Sequence, residues 1–173
     1  MIERYIDSID LNMLNYLFTF DMENGKVFWK NPPKNHPKML GKEAGASIKC
    51  GQHNKYYWKI KINKKPVFRS HIIFYIANGY KANPCIDHIN GNSLDDKLSN
   101  LRQATPLENS WNHKTRNKKS NLPMGIRKQN NKFIARINYK NQYLHLGSFE
   151  NLNDAVNIYK QKRIELYGQF SGY

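Results

Sequence analysis

The chain of 173 residues is long enough for one ordinary domain or two small ones. It carries 28 Lys and Arg against 13 Asp and Glu, a formal net charge of +15, with 13% aromatic residues; this excludes a disordered basic tail and points to a polyanionic partner, most simply nucleic acid. No run approaches the about 20 apolar residues of a membrane-spanning helix, the early acids Glu3 and Asp7 do not suit a signal peptide, and Cys50 and Cys85 are too few for a disulfide framework or a four-cysteine zinc site.

Residues 11–20 predict a short helix with Leu11, Leu14, Leu17 and Phe18 on one face, capped by Ser8 or Asp10. Asn24-Gly25 marks a turn into a strand at 26–29. Residues 31–51, rich in Pro, Lys and Gly, read as loop. Residues 56–62 alternate as a half-buried strand does, and a turn at 63–65 returns the chain through Pro66-Val67-Phe68. Ser70 is expected to cap a helix to about Ala77, ended by Asn78-Gly79. Cys85-Ile86 is strand-like, and 106–115 reads as a helix with Thr105 as its cap and Pro106 in its first turn. Residues 116–122 form a basic linker without apolar period. Three short strands, at about 125–128, 132–139 and 142–146, and a helix at 152–167 stopped by Gly168 complete the chain.

Charge is uneven along this string. From Lys30 to Arg69 there are eleven Lys or Arg and one acid, Glu43; from Ser110 to Phe149 there are nine and no acid. Between them lie Asp87, Asp95, Asp96 and Glu108. A single lysine is ordinary solvated surface, but the distribution as a whole fits a metal site between two phosphate-binding surfaces.

Asp87-His88, Asn100, Asn109 and His113 are the chemically useful residues of the acidic stretch. Asp87 offers a hard anionic oxygen suited to Mg²⁺ or Mn²⁺. Asn109 adds a neutral oxygen, and His113, four residues later, shares its helix face. On a flat strand His88 faces away from Asp87; in a twisted or bulged hairpin it flanks the ion and takes a proton from water, for which an imidazole is suited near neutral pH. Asn100 reads as a clamp on the loop backbone. Each residue alone is also good turn or surface material; the combined spacing is the specific signal. His71, on an apolar helix, reads as a structural histidine.

The runs Ile86-Asp87-His88-Ile89-Asn90-Gly91-Asn92, Asn100-Leu101-Arg102, Ala104-Thr105 and Glu108-Asn109, preceded by Arg69-Ser70-His71-Ile72-Ile73-Phe74-Tyr75, resemble the HNH endonucleases. The likeness is strongest to phage and intron-encoded homing enzymes with a ββα-metal site. The resemblance implies Asp87 and Asn109 as ligands of one divalent cation, His88 as general base and Asn100 as brace. His113 falls where some members carry a further metal-binding histidine; phosphate contact is its other role. The zinc-binding cysteines of some members are missing, so no structural zinc is expected.

In 132–140, Phe133, Ala135, Ile137 and Tyr139 form one face of a strand, and Lys132, Ile134, Arg136, Asn138 and Lys140 the other. Gly125-Ile126-Arg127, residues 132–137, Leu144-His145-Leu146-Gly147-Ser148-Phe149 and the helix with Asp154-Ala155 and Tyr159 resemble the plant APETALA/ethylene-response type of DNA-binding domain. The resemblance implies DNA contacts from Arg127, Lys132, Arg136, Asn138, Tyr143 and His145. Tyr143 and His145 replace the usual Arg and Trp, so specificity does not transfer.

The expectation is an α+β protein: a ββα-metal HNH nuclease domain over 1–115, a linker over 116–122, and a three-stranded antiparallel sheet packed on one helix over 123–173. The implied protein is a homing-type endonuclease that uses Mg²⁺ or Mn²⁺ on double-stranded DNA. It is expected to be a monomer in the cytoplasm of a bacterial or phage-infected cell, without membrane association. The alternatives are a non-catalytic DNA-binding regulator with a degenerate nuclease fold, and a restriction or repair nuclease.

Overall fold

The computed structural model describes residues 5–50, 55–112, 121–140 and 142–172. They divide into two compact units, Met1–Pro106 and Leu107–Tyr173. No helix among the described residues is long and apolar enough to cross a membrane.

The first unit opens with α1 (Leu11–Leu17), whose N-cap is Asp10: its carboxylate accepts from Met13 N at 2.6 Å. The helix is shorter than the sequence suggests. Phe18 begins a strand, β1 (Phe18–Asp21), which pairs antiparallel with β2 (Lys26–Trp29). Residues 18–21 alternate as well as they follow a helical period, and the Asn24-Gly25 turn supplies a strand partner that settles the matter. Asp21 closes the turn by accepting from Asn24 N at 3.0 Å and Asn24 Nδ2 at 2.9 Å. These hydrogen bonds, the side-chain one first, hold its carboxyl below the ordinary value.

Gly25 has φ +66°, and a Cβ there would lie 2.4 Å from the backbone of Asp96 and Lys97. The hairpin tip is therefore pressed on the loop that carries Asp96, a contact reinforced by Leu98 N donating to Met22 O at 3.1 Å. Gly25→Ala is expected to cost about 2 kcal/mol or more, from left-handed strain plus overpacking. Urea unfolding of the full chain measures it; an unchanged midpoint would contradict the close approach.

The segment read as loop contains a 3₁₀ turn at Pro37–Met39 and a strand, β3 (Ala46–Cys50). Residues 46–49 are exposed, and the short alternation Ala46-Ile48-Cys50 is hidden in a stretch dominated by Pro, Lys and Gly. It edges a sheet in the order β3-β4-β5 with β4 (Lys55–Ile62) and β5 (Lys65–Phe68). Asn63 and Lys64, both at positive φ, form the tight turn between the last two. α2 (Arg69–Asn78) follows without a break. Its N-cap is Phe68, with no side-chain cap bond, rather than Ser70, which is buried inside the first turn. Gly79 ends the helix in the left-handed conformation. Ile72 and Ile73 of α2, Leu14, Phe18, Val27, and Ile60 and Ile62 of β4 make a common core. Ile86 and Leu101 join it from a two-stranded antiparallel hairpin, β6 (Cys85–His88) and β7 (Leu101–Ala104).

The second unit holds α3 (Pro106–Trp111) from Leu107 onward, a sheet in the order β10-β9-β8, and α4 (Leu152–Tyr167). The strands are β8 (Ile126–Gln129), β9 (Lys132–Tyr139) and β10 (Gln142–Phe149). β10 runs three residues past the sequence-based limit, because a bulge between His145 and Gly147 restores its register with β9. Asn151 caps α4, accepting from Asn153 N at 2.8 Å. Ala135 and Ile137 of β9 and Ala155 and Tyr159 of α4 are buried together. Arg163 lies in the same interior, donating to Ser171 O, Tyr159 Oη and Trp111 O. The Trp111 ring packs 4.8 Å from that of Tyr167, so the end of α3 belongs to this unit's core. Burial pushes the Tyr167 phenol up, while its hydroxyl donates to Asn138 O.

Candidate active site

The β6–β7 hairpin places Asp87 opposite Arg102 and His88 opposite Leu101. Both Asp87 and His88 are buried, at 3% and 8% exposure. A carboxylate taken out of water needs a partner, and Asp87 has one across the ladder: Arg102 Nε lies 2.8 Å and Nη2 2.5 Å from Asp87 Oδ2. As adjacent strand residues, the two side chains leave on opposite sides, and they find different partners. His88 Nε2 is 2.8 Å from Asp96 Oδ1.

Asp96 is itself buried, and its second oxygen accepts from Arg69 Nε at 2.8 Å. Arg69, the first residue of α2, also donates to Glu43 Oε1 at 2.7 Å and Leu94 O at 3.3 Å. Its guanidinium lies 4.4 Å from the Trp58 ring centroid, and Trp58 Nε1 donates to Ala44 O. An ordered chain of polar contacts thus runs Glu43–Arg69–Asp96–His88.

The loop between the two strands is held by amides. Asn100 Oδ1 accepts from Asn90 N at 2.9 Å, and its Nδ2 donates to Asp95 O at 2.7 Å and Asn90 Oδ1 at 3.1 Å. Asn100 O accepts from Ile89 N at 2.9 Å, continuing the ladder one step past His88. Asn90 Nδ2 reaches Asp95 Oδ2 at 2.7 Å. A segment without regular structure thereby satisfies its backbone from its own side chains.

Asn109 lies half-buried on α3, in the second unit. His113 falls outside the described residues, as does most of the linker at 116–122. Among the described residues there is no cluster of three or more His, Cys, Asp or Glu that could hold a metal ion.

Residues 67–111 match the family model of HNH endonuclease. The chain is 37% identical to Protein 3.8 of Escherichia phage T7 over 90 residues, 51% of this chain and 74% of that protein. It is 35% identical over 92 residues to Uncharacterized HNH endonuclease L560 of Acanthamoeba polyphaga mimivirus, covering 50% of this chain and 44% of the relative. This chain belongs to one family with phage T7 Protein 3.8, and it carries an HNH endonuclease domain. No solved structure matches it.

Within the HNH domain, sequence reasoning passed over Arg69, Asp96 and Arg102 as site residues. Asp96 and Arg102 stood in plain view, one in the acidic stretch and one in the quoted motif. The signal that could have found them is charge balance: a buried Asp-His pair needs counter-charges, and these are the nearby candidates. Arg69 is harder to find, because its partner Asp96 is 27 residues away.

Beyond the HNH domain, β9 and its neighbours present an exposed face. Register puts Arg127 beside Ile134, Arg136 beside His145, and Asn138 beside Tyr143, with Lys132 on the same side. All six side chains named as DNA contacts are exposed, Tyr143 at 71%. Arg136 lies 5.4 Å from the Tyr143 ring centroid. A basic, aromatic-bearing sheet face of this kind suits a nucleic-acid groove.

Proposed function

We propose that this chain is a homing-type DNA endonuclease that hydrolyses phosphodiester bonds with one divalent cation, Mg²⁺ or Mn²⁺, and His88 as general base. The reading also takes it to act as a monomer on double-stranded DNA, in the cytoplasm of a bacterial or phage-infected cell. The observation that carries it is the buried Asp87-His88 pair, each member held by its own charged partner, inside the segment that matches HNH endonucleases.

The donor chemistry fits such an ion. Mg²⁺ commonly takes one or two carboxylates and fills its shell with water and substrate phosphate oxygens, so a lone carboxylate such as Asp87 suffices without a three-residue cluster. Asp87 would hold the ion, with Asn109 as the second ligand that the resemblance implies. The ion would supply charge stabilisation for the phosphoryl transition state. His88 takes a proton from water; the resulting hydroxide attacks phosphorus, the bond to the 3′ oxygen breaks, and that oxygen takes a proton from solvent. The products carry 5′-phosphate and 3′-hydroxyl ends. Arg102 neutralises and orients Asp87, and Asn100 keeps the loop after His88 closed.

A nicking assay on supercoiled plasmid, with Mg²⁺ and with chelator, tests this reading. Conversion to open circle in Mg²⁺ alone supports it. DNA binding without nicking in any divalent cation would overturn it in favour of a non-catalytic binding protein.

The exposed sheet face of the second unit holds DNA in this proposal, as an APETALA/ethylene-response-like module. Arg127→Ala, Lys132→Ala and Arg136→Ala combined in the full chain are expected to make the salt dependence of binding shallower. The slope of log affinity against log salt should fall by about 2–3, near 0.9 for each phosphate contact removed. Fluorescence anisotropy over a salt series measures it; an unchanged slope would remove this face from the DNA interface. Substitution is the cleaner test, because deleting 118–173 would also strip the packing of Trp111 against Tyr167 and Arg163.

A further inference from the structure

We propose that Asp96 is a positioning residue for His88: its carboxylate fixes the imidazole with the proton on Nε2 and the lone pair on Nδ1. The inference deepens the proposed function and rests on His88 being the base. A carboxylate accepts hydrogen bonds only, so at 2.8 Å the facing ring nitrogen, Nε2, must donate. In a neutral imidazole the other nitrogen then carries the lone pair. Nδ1 is therefore the atom that takes the proton from the attacking water. The imidazolium so formed keeps its Nε2–H on Asp96, whose negative charge stabilises it.

Asp96 does not drift, because it is held from behind. Arg69 Nε binds its other oxygen at 2.8 Å, and the same guanidinium is pinned by Glu43, Leu94 O and the Trp58 ring. Asp96 and Arg69 are 2% and 4% exposed. The hairpin tip at Gly25 presses on the Asp96 backbone as well. A buried carboxylate with one oxygen on a fixed arginine and one on a histidine has the form of an orienting group. Such groups matter because the wrong tautomer leaves the base in place but useless.

Asp96→Asn separates orientation from mere filling of space. An amide has one acceptor oxygen, and Arg69 donates only. The oxygen of the variant side chain must face Arg69, which turns the NH₂ group toward His88. Nε2 must then accept, and the proton moves to Nδ1.

The test is ¹⁵N NMR of the full chain with labelled histidine over a pH series, the tautomer being read from the neutral ring, beside single-turnover cleavage. The His88 resonances are assigned by their loss in His88→Ala. The wild type is expected to show the Nε2–H tautomer, and Asp96→Asn the Nδ1–H tautomer. The cleavage rate of Asp96→Asn should fall about 10²-fold, as for an impaired general base, with DNA affinity unchanged. A wild-type His88 in the Nδ1–H form overturns the proposal. So does an Asp96→Asn protein that cleaves at the wild-type rate while His88→Ala is inactive. If His88→Ala itself cleaves normally, it is the base assignment that fails. Should Asp96→Asn not fold, the wild-type tautomer alone decides.

Discussion

His88→Ala is expected to lower the single-turnover cleavage rate by about 10²–10⁴, the range for losing a positioned general base. DNA affinity should hold within about twofold, because His88 is buried and the exposed cations lie elsewhere. The substitution also has a structural cost. It takes the imidazole from Asp96 Oδ1, leaving that oxygen without this partner in the interior, a loss of about 1–3 kcal/mol. Asp96 keeps its Arg69 ion pair, so the HNH domain should stay folded and melt at a lower temperature. Chemistry and stability thus have separate readouts: the rate at saturating enzyme and Mg²⁺, and the thermal midpoint. A lower midpoint with an undiminished rate would make His88 a structural residue and remove it from the reaction.

The elements that could be read from sequence are those with a local period. The alternation in 132–139 placed one face of β9 in the interior and left Lys132, Arg136 and Asn138 outside. Asp10 as a cap and Asn24-Gly25 as a turn are likewise local chemistry. β3 escaped because its residues are mostly exposed and its strand character comes from pairing with β4. Residues 18–20 read as the last turn of a helix because both periods fit them, and the pairing of Phe18 with Trp29 decides the outcome.

The site divides along the same line. Asp87, His88 and Asn100 could be singled out because the motif is contiguous or nearly so. What holds them is less legible: charge balance points to Arg102 and Asp96 in the same stretch, but Arg69 reaches Asp96 from the start of α2, 27 residues away. Burial is what turns these acids from surface charge into fixed parts. No local pattern encodes burial for a residue in a loop of Asn, Gly, Ser and Asp.

Asp87→Asn is expected to reduce cleavage by about 10³-fold or more, since several kcal/mol of transition-state charge stabilisation would be lost with the carboxylate. More Mg²⁺ should not restore the rate if the anionic oxygen is a required ligand. The structure supplies a rival explanation that must be separated: the amide would put a neutral oxygen in place of the carboxylate that pairs with the part-buried Arg102, which destabilises the hairpin. The double variant Asp87→Asn with Arg102→Gln removes both charges together. Neutral partners can be close to harmless where a lone buried charge is not, so the double variant should regain most of the thermal stability that the single variant loses. It should remain inactive, because nothing in it replaces the carboxylate. Recovery of cleavage along with stability would show that Asp87 serves the fold through Arg102 and not the reaction. Recovery of stability alone would keep Asp87 at the centre of the chemistry, with Arg102 as the charge that allows a carboxylate to sit buried beside His88.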